Sequence, residues 1–568
     1  MRAEVDLAPA PPVLSPSVRP PRRRLAAGAG WRPDWFELSL LGLFAVLSVW
    51  VLGVDVWQVI AHGRTWTGTD GIYVVDQMQY LAWIQSASHH FLVSNLFVLR
   101  GTPNDYFMPA VVISGGLTAL GVPAWISLLL WKPVAVVAMF FAVRAYAHRS
   151  LRGTWERRIV LTLGLFFGSA TIIYGSVGTI GDLFPPFLSW GYTFGLLALA
   201  TMIFAIVAYD RARADRSERI SWLPALLGGL ASLLHPWQGE LLILVVLGAE
   251  LLAWVRDRRR PPLALPFVTV LGTGLPLLYY LVLGHADLSW QLARDASKHS
   301  FSLATVLLGV LPLLLPALIA YRGWPRSFLG LLTRAWPLAA VAIYVVSGSG
   351  VSATPLHAFE GLTLPLAVLA IEGLRRLHFE RLPARRALVA LAVVVFTVPG
   401  IVYQMHNAAQ TAAPSPGNPN FITSDEHHAL RYLARDPVPG GVLTRFYLGA
   451  VVPGETGRKT FIGTCLWSEP NCVARAQISQ MVLDGTLPAE SARYFVQQSG
   501  ARFVLADCQS RPDLEAVLSP ISQSVTHFGC AAVYTLKGKE APSQALAESP
   551  PHATLRAPGR QQRRVQHA

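Results

Sequence analysis

Asp76, Gln79, Tyr80 and Trp83 recur at intervals of three and four residues, the spacing that stacks side chains on one face of a helix. A helix over Asp76 to Phe91 would add Ala87 and His90 to that face and put Leu81, Ile84 and Phe91 on another, suited to lipid. A carboxylate followed by two aromatic rings and a histidine has the parts to take a proton from a hydroxyl and to stack a pyranose ring. The same pattern also suits an interfacial amphipathic helix with an aromatic belt and a capping aspartate, and the residues alone leave both readings open.

Other polar residues stand out because their surroundings are apolar. His235-Pro236-Trp237-Gln238-Gly239-Glu240 interrupts the run from Trp222 to Trp254, and His357 and Glu360 open a later run. Buried polar groups need partners, so His235 with Glu240, and His357 with Glu360, read either as pairs satisfying each other or as groups presented to a substrate. Arg294, Lys298 and His299 sit in a polar stretch between two runs, where each alone could be a solvated loop residue. Lys132, beside Pro133 inside an apolar run, must find a partner or snorkel toward water.

The elements that would position these residues follow from composition. Apolar residues make up 52% of the 568 and charged residues 14%, which excludes an ordinary soluble enzyme. Apolar runs of about 18 residues or more, long enough to cross a hydrocarbon core, recur from Leu38 to Val402. The net charge of +14 is carried by arginine clusters between these runs, which reads as membrane topology and not as nucleic-acid binding.

Residues 1–35, with Arg22, Arg23 and Arg24 among prolines and alanines, are expected to be a disordered cytoplasmic tail leading into a retained first helix. A long outer loop over 61–123 would follow, with Phe107 to Gly121 re-entrant or interfacial and the next span at Ala124 to Tyr146. Arginines at both ends of Trp222 to Trp254 require a hairpin of two spans turning at His235-Pro236. The transmembrane part would be residues 36–404 with about eleven spans, an odd number that places the C-terminus outside the cell membrane.

Residues 415–540 have ordinary globular composition and hold Cys465, Cys472, Cys508 and Cys530, the four cysteines of the chain. Two disulfides could form there in any of three pairings; closeness in sequence favours Cys465 with Cys472 and Cys508 with Cys530, and four buried thiols is the alternative. The pattern predicts helices at Asp425 to Ala434 and Ala489 to Gln498, and strands at Val442 to Ala450 and Phe503 to Ala506. Residues 541–568 are expected to be a disordered tail. The fold class is thus a polytopic α-helical membrane protein with a C-terminal extracytoplasmic α/β domain. There is no HExxH, CxxC or GxSxG motif, so zinc-protease and serine-hydrolase readings have no support.

This layout, with Asp76-Gln77-Met78-Gln79-Tyr80 in the first outer loop, resembles the GT-C superfamily of integral membrane glycosyltransferases. In its protein mannosyltransferase and aminoarabinose transferase branches the loop acid is followed by Glu, where this chain has Gln77. The resemblance implies an inverting transfer of sugar from a polyprenyl-phosphate donor to a glycan, lipid or protein acceptor of the cell envelope, with Asp76 as base. Tyr80 and Trp83 would stack sugar, with Gln79, His235 and His357 as further polar contacts. Arg294 or Lys298 would hold the phosphate, beside His299, and Lys132 could also reach it. Asp182, in Gly178-Thr179-Ile180-Gly181-Asp182, lies where oligosaccharyltransferase-like members carry an acidic motif that helps bind a divalent metal. Only one acid is present there, and the Trp-Trp-Asp signature of those enzymes is absent, which disfavours peptide N-glycosylation. Gly454-Glu455-Thr456-Gly457-Arg458-Lys459 is read as a structural turn after a strand. A transporter or flippase, and a GT-C-like scaffold without activity, are the rival readings.

Overall fold

The computed structural model describes residues 32–71, 73–168, 170, 183–215, 221–258, 262–297, 302–347, 355–378 and 383–537. Most of the N-terminal tail, the whole of 541–568, Asp182, Lys298 and His299 lie outside the described residues. The chain begins with α1 (Trp35–His62), capped reciprocally by Asp34 and Glu37, and a short strand β1 (Thr65–Trp66). Then come α2 (Val74–Ala87), α3 (Pro109–Ala119), α4 (Ala124–Leu129), α5 (Trp131–Ser150), α6 (Thr154–Phe166) and the single turn α7 (Pro185–Leu188). The helical part continues with α8 (Thr193–Ala214), α9 (Leu223–Leu234), α10 (Pro236–Asp257), α11 (Ala264–Ala286) and α12 (Leu288–Ala296). It ends with α13 (Leu303–Gly309), α14 (Leu311–Ala320), α15 (Phe328–Ser347), α16 (Thr363–Arg376) and α17 (Arg385–Thr411).

Among the described residues, seven helices are long and apolar enough to cross a membrane, eight if α13 and α14, bent by 86°, form one broken span. Each of the other expected spans falls on a helix that is short for a crossing: α6 has 13 residues, α9 has 12 and α16 has 14. Hydropathy counted α9 and α16 as spans because apolar residues flank them, while α6 ends at Phe166 and residues 169 and 171–182 beyond it lie outside the described residues.

The arginine clusters do more than mark topology. Arg144 and His148 of α5 both reach Glu37 of α1, at 2.9 and 2.5 Å. Arg149 pairs with Asp210 of α8 at 2.6 Å, Arg213 with Glu250 of α10 at 2.9 Å, and Arg334 with Glu372 of α16 at 2.6 Å. Arg334 lies inside α15 and is buried.

The deepest ion pair is Lys132 with Asp70, at 2.6 Å and only 3% and 1% exposed. Lys132 Nζ also donates to the carbonyls of Ser48 (3.1 Å) and Ser189 (2.7 Å), so one ammonium ties α1, the first loop, α5 and the approach to α8. It is buried and does not snorkel, and it is not among the lining residues of the cavity described below. Gln77 binds both backbone groups of Asp70 and packs on Gly191, whose positive φ and 2.2 Å clearance to Gln77 exclude any side chain there. The substitution of Gln for Glu at 77 therefore serves the loop that launches α2.

Beyond α17, β2 (Phe421–Ile422) pairs antiparallel with β1, joining the end of the helical part to its first loop. There follow α18 (Ser424–Arg435), β3 (Val442–Leu443), α19 (Phe446–Thr456), α20 (Cys472–Leu483), α21 (Ala489–Gln498), β4 (Phe503–Ala506), α22 (Leu514–Leu518), β5 (Ser522–Phe528) and β6 (Ala531–Leu536). Strands β3, β4, β6 and β5 form one sheet in that order, with β3 parallel to β4 and the rest antiparallel. Two expectations change here. The apolar run at Val442 to Ala450 is a strand of two residues followed by a helix, because periodicity cannot separate short buried strands from helices. Gly454, Glu455 and Thr456 end α19, and the turn begins only at Gly457 with φ 69°. Disulfides join Cys465 to Cys472 and Cys508 to Cys530.

The face of α2 that carries Leu81 and Ile84 does not meet lipid. It is buried with Leu448, Val451 and Val452 of α19 in one core that also takes in Val93 and Phe97 of the first loop. Phe91 is exposed and lies beyond the end of α2, its ring stacked on Phe107.

Replacing Lys132 by Met is expected to lower the thermal midpoint of the detergent-solubilised protein sharply, since stripping one partner from a buried pair costs about 3–5 kcal/mol. Adding Asp70→Asn should recover much of that loss, as read by thermal unfolding. Mass mapping of unreduced peptides is expected to recover Cys465 linked to Cys472 and Cys508 linked to Cys530.

Candidate active site

A cavity of about 870 Å³ opens between the ends of several helices and the C-terminal segment. Asp76, Gln79, Tyr80 and Trp83 of α2 line one wall, as the helical spacing requires. The opposite wall is the break between α9 and α10. His235 has extended backbone, φ −159° and ψ 105°, and closes α9, while Pro236 opens α10. Gly239 lets the two helices approach beside the break, since a Cβ there would lie 2.0 Å from Ser232 Oγ. Trp237 and Glu240 complete this wall.

A third side comes from α11 and α12. Asp287 caps α12 by accepting from the Ser289 N–H at 2.9 Å, and the helix presents Trp290, Ala293 and Arg294 to the cavity. Arg294 is the only arginine or lysine among the described lining residues. Leu277, Leu278 and Leu281 of α11 also line it, and Leu278 and Leu281 are 55% and 56% exposed on the outer side of a helix long enough to span. The cavity thus has a flank of leucine on the surface that lipid would cover.

The interior is aromatic. Trp83 lies 4.6 Å from Tyr106, 5.4 Å from Trp467 and 6.4 Å from Trp290, the last pair near parallel at 17°. Trp467, from the C-terminal segment, packs edge-on against Trp290 at 4.8 Å, and its Nε1 donates to Gln79 Oε1. The Asn95 side chain holds the Trp467 carbonyl at 2.9 Å, and the Cys465–Cys472 disulfide closes the loop that carries the ring. Burial pushes the Tyr80 hydroxyl above its ordinary pKa, and the nearby Asp76 carboxylate adds to the shift. Tyr80 is accordingly neutral beside that carboxylate.

The second polar group in the wall is a knot around Glu360, which is fully buried. His357 Nδ1 lies 2.6 Å from Glu360 Oε1, and His235 Nδ1 lies 3.7 Å from Oε2. Gln238 Nε2 donates to Oε2 at 2.7 Å, and Tyr192 Oη meets His235 Nε2 at 2.8 Å while its ring stacks on His357. The histidines therefore share one carboxylate, in place of a separate pairing of His235 with Glu240. Ligand atoms of His235, His357 and Glu360 all lie within 4.8 Å of one another. A second grouping, Asp425 with Cys508 and Cys530, has its sulfurs engaged in a disulfide and offers no thiolate.

Seven of the residues selected from sequence, namely Asp76, Gln79, Tyr80, Trp83, His235, Arg294 and His357, meet in this one cavity. Ala87 and His90, expected on the same face, are not among its lining residues, and His90 lies beyond α2 and is exposed. Asp182, Lys298 and His299, and with Asp182 the expected metal position, lie outside the described residues. Sequence reasoning missed Tyr106, Tyr192, Trp290 and Trp467. Trp290 was legible as the residue four before Arg294 on an amphipathic helix, whereas Tyr106 and Tyr192 carry no local signal.

No family model matches the chain, and no curated protein matches it. Solved structures do. The oligosaccharyltransferase of Archaeoglobus fulgidus in its apo form superposes with a TM-score of 0.52 at 12% identity, over 91% of this chain and 76% of the other. The same protein tethered to an acceptor peptide containing the NVT sequon superposes with a TM-score of 0.51 at 13% identity, over 90% and 75%. The chain shares the fold of that oligosaccharyltransferase across nearly its whole length.

Proposed function

We propose that the chain is an inverting glycosyltransferase that moves a sugar from a polyprenyl-phosphate donor to a cell-envelope acceptor at the extracytoplasmic face. The observation that carries this reading is the single cavity that holds a carboxylate, an arginine, a cage of aromatic rings and a flank of leucines on a helix long enough to span. Each part answers to one part of the reaction. The leucines of α11 suit an isoprenoid chain arriving sideways from the bilayer, and Arg294 suits the phosphate. The rings of Trp83, Trp290 and Trp467 suit the apolar faces of a sugar.

In the proposed step the acceptor hydroxyl gives its proton to Asp76 as its oxygen forms a bond to the anomeric carbon. The bond from that carbon to the phosphate oxygen breaks with inversion, and polyprenyl phosphate leaves with the electron pair. Phosphate needs no acid to depart, so the protein's tasks are orientation and stabilisation of the charge that collects on it. Arg294 would take that charge, with Lys298 and His299 of the adjoining stretch as further partners. Gln79, Tyr80, His235 and His357 would fix the sugar hydroxyls, and Asp182 would contribute a further polar contact. The peptide acceptor of the Archaeoglobus protein is not carried over, since the Trp-Trp-Asp signature is absent here; a glycan, lipid or protein hydroxyl fits the chemistry. The membrane placement that goes with it has a cytoplasmic N-terminus and an outer C-terminal domain, where both disulfides could form.

A cell lacking the protein is expected to lose one envelope sugar and to accumulate its polyprenyl-phosphate donor, as read by glycan and lipid mass analysis. Asp76→Asn, expressed at the wild-type level, should fail to restore the sugar, with turnover reduced about 10²–10⁴-fold. Full complementation by Asp76→Asn would remove Asp76 as base and move the transporter or scaffold reading ahead.

A further inference from the structure

We propose that His235, His357 and Glu360 form a binding site for one divalent transition metal of the zinc class in the cavity wall, with its remaining coordination position open to the cavity. The inference holds whatever group the protein transfers, since it rests on the knot itself.

Three protein ligands of two imidazoles and one carboxylate, with a fourth position left to solvent or substrate, is the donor set that a reactive zinc site uses. Imidazole nitrogen selects transition metals over magnesium or calcium, which take oxygen ligands. Around a tetrahedral ion with bonds near 2.1 Å the ligand atoms stand about 3.4 Å apart. The observed separations from Glu360, 2.6 Å to His357 and 3.7 Å to His235, bracket that value. Side-chain adjustment alone would make them equal. His357 can free Nδ1 by carrying its proton on Nε2.

Two atoms of the knot are poorly explained by hydrogen bonding alone. His235 Nδ1 is buried, lies 3.7 Å from Glu360 Oε2 and has no hydrogen-bond partner among the described residues, and Gln238 Oε1, on the amide whose Nε2 binds Glu360, is also buried without one. A buried polar atom without a partner is costly, so a buried imidazole nitrogen left facing a carboxylate invites a cation. The other nitrogen of His235 is already held by Tyr192 Oη at 2.8 Å. With Nε2–H donated to that oxygen, Nδ1 keeps its lone pair toward Glu360, the tautomer a metal needs. Gln238, bound to Glu360 Oε2 at 2.7 Å, orients the carboxylate in the same way.

Placement adds a consequence. His235 caps the break between α9 and α10, while His357 and Glu360 precede α16, so a bound ion would clamp two separate chain segments into one wall. Both histidines line the cavity, which directs the open position toward a water, hydroxyl or phosphate oxygen inside it.

The test uses untagged full-length protein in detergent, stripped with a chelator and dialysed against Zn²⁺ or Co²⁺. The expected result is about one Zn²⁺ per chain by elemental analysis, and visible absorption of four-coordinate Co²⁺. His357→Gln and Glu360→Gln should each weaken Zn²⁺ binding at least tenfold, and Tyr192→Phe about tenfold. Zinc uptake far below one per chain by wild type overturns the proposal, as does equal uptake by monodisperse His357→Gln. If those variants do not fold, X-ray absorption of the wild-type Co²⁺ form decides: two imidazole ligands support the site, and none refutes it.

Discussion

The arrangement depends on a buried ammonium. Lys132 sits where a charge has no water, and it is stable there because Asp70 neutralises it and two carbonyls from other segments complete its donors. That requirement works in both directions. The lysine cannot leave without stranding Asp70, and the loop carrying Asp70 cannot drift without stranding the lysine. The loop then continues through Gln77, hydrogen-bonded to the Asp70 backbone, directly into α2. The position of Asp76 in the cavity is thus set one residue away from an anchor fixed in the helix bundle.

A single anchored end would leave α2 free to swing, and the second restraint comes from the far end of the chain. Its apolar face is covered by α19, while β1 pairs with β2 and Thr460 N–H donates to the Leu96 carbonyl at 2.9 Å. Asn420 links the same junction to Asp55 of α1 at 3.0 Å. The first loop and the C-terminal segment therefore share one core. This explains why Trp467, nearly four hundred positions from Gln79, can close the cavity over α2. The C-terminal segment is a wall of the site as well as a neighbour of it.

What could be read in the sequence was whatever is encoded locally. The three-and-four spacing of Asp76, Gln79, Tyr80 and Trp83 put them on one face, and the proline after His235 marked the break between α9 and α10. Length was less legible. Hydropathy windows extended α9 and α16 into full spans because apolar residues flank these short helices. The environment of a face was not legible at all: Leu81 and Ile84 look the same whether lipid or α19 covers them. Long-range pairs were equally hidden. Glu360 serves both histidines because the break between α9 and α10 comes up against the segment before α16, and the sequence showed only that His357 stands three residues before it.

The distribution of charge in the cavity limits how it can act. Its described lining holds Asp76 and Glu240 as acids and Arg294 as the lone arginine or lysine, with rings and leucines between. In so apolar a space an arginine is poorly screened and acts strongly on a charge that develops beside it, but it must also be kept from collapsing onto the acids. The fold separates them by element: Asp76 lies on α2, held by Lys132 and α19, while Arg294 lies on α12, capped independently by Asp287. The aromatic rings of Trp83 and Trp290 stand between the two helices, nearly parallel and 6.4 Å apart. Two independently anchored helices thus bring the carboxylate and the guanidinium to different walls of one cavity.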